Sequence, residues 1–68
     1  MDTARLKAQM VLHNETQEVL ANALGVAIPR VSLKINGKQG AQFTQSEIAI
    51  IKNRYNLTPE EVDQIFFS

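Results

Sequence analysis

The chain has 68 residues, enough for one domain (1–68) near the lower limit at which a hydrophobic core holds by itself. It has no cysteine, which excludes a disulfide scaffold and a thiolate metal site, and no apolar run approaches the ~18 residues of a membrane span. Seven basic residues balance seven acidic ones, so net charge announces no partner.

In chain order, the spacing predicts a first helix from about Thr3 to His13, with Leu6 and Met10 facing inward. The opening Met1-Asp2-Thr3-Ala4-Arg5-Leu6 carries no signal-peptide pattern. Thr16 is a good cap for a second helix starting at Gln17, because its hydroxyl can accept an orphan backbone N–H. Val19, Leu20 and Leu24 recur at helical spacing as its buried stripe, and small Ala21 lets a neighbour approach closely. Gly25 ends that helix, since it can turn left-handed without steric cost. Val26 then tucks into the core. A third helix is expected from Ile28, with Pro29 tolerated in its first turn, Val31 and Ile35 inside, and Gly37 closing it.

Two more helices announce themselves by their starts. Thr44 and Glu47 form a capping box, with Phe43 and Ile48 as hydrophobic staple, and Ile48, Ile51 and Tyr55 face inward. Thr58, Pro59 and Glu61 repeat the device, with Leu57 and Val62 as staple and Val62, Ile65 and Phe66 toward the core. No segment alternates long enough to be a strand. The fold class expected is all-α.

The stretch from Thr16 to Gly37 has the organisation of a helix-turn-helix. Gln17, Ala21, Gly25, Val31 and Ile35 sit where that unit needs them, and it is a device for placing one helix in the DNA major groove. The Thr16-Gln17-Glu18 start, the Leu20-Ala21…Leu24-Gly25-Val26 spacing and the Asn36-Gly37-Lys38 close resemble the Cro/CI (XRE) family of regulators. The ending Leu57-Thr58…Ile65-Phe66-Phe67 is similar to small regulators of Gram-positive temperate phages. The resemblance covers nearly the whole chain. It implies a five-helix lambda-repressor-like DNA-binding domain with the helix-turn-helix at helices 2 and 3. Its expected role is a repressor-type transcription regulator binding double-stranded operator DNA in a lysis–lysogeny switch, in the cytoplasm of a bacterial or phage-infected cell.

Carried over by position, the resemblance implies that Gln17 contacts a phosphate and braces the recognition helix. Ala27, Ile28, Pro29, Ser32 and Leu33 match positions facing base edges, and Arg30, Asn36 and Lys38 match backbone-contacting positions. Lys34 adds a further basic side chain on the same helix. Related proteins include homodimers, antitoxins of toxin–antitoxin pairs, and modulators that bind a partner repressor instead of DNA.

The third helix departs from the family pattern. Base readout relies on Arg, Gln, Asn or Lys side chains, whereas Ile28, Pro29 and Leu33 can donate or accept nothing. With Val31 and Ile35 inside, a helical wheel puts Leu33 nearly opposite the core and Pro29 beside it. An apolar outer strip suits either an apolar contact in the groove or another protein. The alternative expectation is therefore a modulator that covers a partner repressor through Ile28, Pro29 and Leu33. Ile50 and Phe67 are further contacts for such a partner or for a second copy.

Charge points the same two ways. Between Val19 and Ser46 lie Arg30, Lys34 and Lys38 and no acidic residue, a positive field that is present but thin. Chemistry finds no support. His13 is the only histidine and is expected to end helix 1, where its charged form would suit the helix dipole. There is no cysteine nucleophile, no phosphate-cradling glycine loop and no paired metal-ligand set. No catalytic residue, cofactor, metal, membrane or small-molecule substrate is expected, and the chain is not expected to be an enzyme.

Overall fold

Five α-helices and no strand make up the regular structure: α1 (Thr3–Leu12), α2 (Gln17–Leu24), α3 (Ile28–Asn36), α4 (Gln45–Arg54) and α5 (Pro59–Phe66). A single 3₁₀ turn, Lys38–Gly40, follows α3. The computed structural model describes every residue from Met1 to Ser68. The protein is all-α.

Four of the five helices, all but α3, start where a side chain can take up an orphan amide. Asp2 accepts from the Arg5 N–H at 3.1 Å, and Thr16 accepts from the Val19 N–H at 3.2 Å. Both predicted capping boxes close. Thr44 accepts from the Glu47 amide at 3.2 Å and donates its own N–H to Glu47 at 2.8 Å; Thr58 and Glu61 do the same at 3.1 and 2.9 Å.

The ends are as local as the starts. Gly25 and Gly37 cap α2 and α3 in left-handed geometry, with φ of 72° and 63°. α1 and α4 stop in another way. His13 and Tyr55 are their caps, and Asn14 (φ 56°) and Asn56 (φ 53°) turn left-handed behind them. The following amides of Glu15 and Leu57 return to the Met10 and Lys52 carbonyls at 2.8 and 2.9 Å. Asparagine tolerates this region better than other residues with a Cβ. α1 therefore ends at Leu12, with His13 as its cap instead of its last residue.

The core draws on every helix: Leu6 and Met10 from α1, Leu20 and Ala21 from α2, Val31 and Ile35 from α3, Ile51 from α4 and Ile65 from α5, with Tyr55 and Leu57 between the last two. Leu24, Val26, Phe43, Val62 and Phe66 pack at its edge. The radius of gyration is 10.8 Å, against the ~11 Å expected of a folded chain of this length. Phe43 meets Phe66 edge-on, with centroids 5.8 Å apart, which seats the loop before α4 on α5. The Thr3 hydroxyl donates to the Ile35 carbonyl at 2.8 Å, so α1 satisfies one of the orphan carbonyls at the end of α3.

Two apolar expectations need correcting. Val19 is exposed, not buried, because α2 buries the stripe Leu20, Ala21 and Leu24 and Val19 lies on the far side of it. Ile48 is only half-buried, lining a small cavity with Phe43, Phe66 and Lys34.

Candidate functional site

α2 packs more extensively on α3 than any other pair of helices does. Fully buried Ala21 allows the close approach, and Gly25 and half-buried Val26 turn the chain between the two. This arrangement buries Val31 and Ile35 and leaves the first turn of α3 uncovered: Ala27, Ile28, Pro29 and Arg30 are all exposed, Ile28 by 45%. Ala27 provides no side-chain cap, and no acidic residue stands in that turn. The N-terminus of α3 is thus apolar in its side chains and carries one cation.

The other predicted residues of α3 are distributed differently. Ser32 and Leu33 are half-buried, so Leu33 does not stand fully clear of the protein as the helical wheel implied. Asn36 is exposed, but its amide donates to the Ser32 carbonyl at 2.9 Å on its own helix. Lys38 is exposed beyond Gly37, and neither it nor Arg30 forms an ion pair. Gln17 is half-exposed at the first position of α2, beside a shallow groove shared with Lys7, Met10 and Val11.

Lys34 is the clear correction. It is buried, and its ammonium donates to both oxygens of Glu47 at 2.6 and 2.8 Å. The reason is its position: three residues after Val31 and one before Ile35, it falls on the inner face of α3. A lysine held there cannot reach a phosphate, and its charge is neutralised within the molecule. Glu47 accepts at once from Lys34 and from the Thr44 backbone. Burial pushes its carboxyl pKa up, but the Lys34 and Thr44 hydrogen bonds outweigh burial and hold it below the ordinary carboxylate range. One carboxylate thereby fastens the last turn of α3 to the start of α4.

A second ion pair sits at the other end of α4. Arg54 donates to Glu15 at 2.8 and 2.9 Å, with its terminal nitrogen at 2.6 Å. The Arg54 hydrogen bond is the main influence holding Glu15 below the ordinary carboxylate range. The Tyr55 hydroxyl is buried beside Glu15; burial first, and then its contact with the Glu15 carboxylate, push its pKa up. His13 stacks on the Tyr55 ring at 4.9 Å and 11°, so the two helix caps lie face to face. The histidine is exposed and closes a helix corner.

Sequence reasoning overlooked two exposed apolar residues, Val11 (76%) and Leu12 (73%), at the end of α1. The signal was available: they fall off the Leu6–Met10 stripe. Ile50 and Phe67, singled out as contact residues, are exposed by 39% and 58%. No group of His, Cys, Asp or Glu side chains is placed to hold a metal ion, and no helix is long and apolar enough to cross a membrane. No family model, curated protein or solved structure matches the chain.

Proposed function

We propose that the chain is a helix-turn-helix transcription regulator of the Cro/CI type, a lambda-repressor-like domain that lays α3 in the major groove of operator DNA in a phage lysis–lysogeny switch. The observation that carries this reading is the α2–Gly25–α3 corner. It buries the inner face of α3 to completion at Val31 and Ile35 and leaves the N-terminal turn of the same helix uncovered. A recognition helix needs that combination, since its first residues meet base edges while its inner face is held rigid. Arg30 and Lys38, exposed and unpaired, supply the phosphate contacts, and Gln17 at the start of α2 supplies a neutral one.

A second reading is favoured by a specific observation. With Lys34 consumed by Glu47, two free cations remain between Val19 and Ser46, next to exposed Ile28 and Pro29. That balance suits a modulator that covers a partner repressor with α3. A gel-shift titration on the intergenic DNA beside the gene, with and without the neighbouring repressor, separates the two. Operator binding predicts a shift by the protein alone. The modulator predicts none alone and a changed shift by the repressor.

A further inference from the structure

If α3 enters a major groove, the structure leaves it little to read bases with. Lys34 is turned inward and ion-paired, and Asn36 lies at the far end of the helix with one N–H of its amide held by the Ser32 carbonyl. Ser32 is half-buried. Among the side chains of the exposed first turn only Arg30 can donate a hydrogen bond; Ala27, Ile28 and Pro29 present carbon alone. Pro29 also removes one of the backbone N–H groups that a helix start would otherwise offer.

The major groove holds one apolar group, the C5 methyl of thymine. Carbon placed over a G·C pair would cover guanine N7 and O6 and the cytosine amino group without replacing their water, which is unfavourable. Carbon placed over thymine covers a methyl that gains by being covered. We infer that this chain selects its operator chiefly through thymine methyl groups packed against Ile28 and Pro29, so that the half-site under the start of α3 is rich in A·T pairs. Arg30 adds at most one guanine contact or a phosphate contact. The inference rests on the operator-binding reading and specifies what that reading would recognise.

The test starts from a randomised duplex pool. Sequences retained by the protein at low salt are recovered, and the best is remade with deoxyuridine for every thymidine, which removes only the methyl groups. Affinity is expected to fall by roughly fourfold for each methyl lost from contact. A third version restores methyls at G·C positions as 5-methylcytosine, and is expected to bind better than its unmethylated counterpart wherever the methyl falls under Ile28. The Ile28→Ala variant is expected to melt as the parent does, because Ile28 is 45% exposed, and to bind the thymine and uracil duplexes more nearly alike. Equal affinity for the two duplexes by the parent protein overturns the inference and leaves DNA binding standing. Undiminished discrimination by Ile28→Ala also overturns it. Enrichment of no sequence at all overturns the operator-binding reading itself, and the inference with it.

Discussion

Glu47 and Glu15 each tie one helix to another, at different depths. The Lys34–Glu47 side chains are 7% and 10% exposed, whereas Arg54 is 36% exposed against 12% for Glu15. The buried pair fixes the last turn of α3 against the start of α4. The outer pair fixes the α1–α2 corner to the end of α4, where His13 and Tyr55 stack. Depth decides what a charge does. Lys34 is held inward and lost to any partner, and removing its carboxylate strands an ammonium whose side chain is largely buried, at the edge of the small cavity it lines. Arg54 keeps its water and shares its charge with the surface.

The largest expected effect follows from breaking the inner pair on one side. Glu47→Ala leaves Lys34 largely buried and unpaired and also removes the Glu47 half of the α4 capping box, so the protein should lose about 3–5 kcal/mol of stability, measurable by denaturant unfolding. A loss as small as that of an ordinary surface substitution would mean that Lys34 escapes to solvent. The double variant Lys34→Met, Glu47→Gln sharpens the point. Methionine fills the inner position, and glutamine can still cap Thr44, so most of the loss should be recovered. If the double variant is no better than Glu47→Ala, neither the stranded charge nor the lost capping contact carries the cost.

Acid should separate the pairs next. Both carboxylates are held below the ordinary value of 4.5 in the folded protein. Their stabilisation is therefore fully present above that pH and is lost as pH falls through the lowered folded values. Thermal melts between pH 6 and pH 2 should show stability falling below about pH 4.5. Added salt should weaken the Glu15 share, which is solvent-exposed on the Arg54 side, and leave the Glu47 share nearly intact. Equal salt sensitivity of Glu15→Gln and Glu47→Gln would erase the distinction.

The smallest effect belongs to the outer pair itself. Arg54→Ala should lower the melting temperature by much less than Glu47→Ala, and the difference from the parent should shrink in high salt. A drop as large as that of Glu47→Ala would show that the α1–α2 corner depends on the Arg54 contact as heavily as α3 depends on Glu47.

Much of this was legible in the residues. Thr16, Thr44 and Thr58 mark three helix starts, Gly25 and Gly37 two ends, because caps and left-handed turns are local chemistry written within a few positions. Tertiary contacts were less legible. Thr44 and Glu47 announce a capping box by their spacing, but nothing local says that Glu47 will also take Lys34 from 13 residues earlier. Lys34 reads as a surface cation by residue type and as an inner residue by position, and position wins once a buried carboxylate is available. At the candidate surface the exposure of Pro29 followed from helical spacing, whereas Ile28, three residues before Val31, would by spacing face inward, and only the resemblance placed it outside. The half-burial of Leu33 and the self-contained hydrogen bond of Asn36 did not follow from spacing, since both depend on the surroundings of the folded helix.

The most direct test of the account is a charge placed on the uncovered turn of α3. Leu33 is half-buried and would confuse folding with binding, whereas Ile28 is 45% exposed. Ile28→Asp should keep the helicity and melting temperature of the parent. Titrated against the adjacent intergenic DNA and against the neighbouring repressor, it should lose whichever of the two the parent binds by about tenfold or more, the scale of a central interface residue. A variant that folds normally and binds that partner as tightly as the parent would contradict the claim that the start of α3 is the working surface.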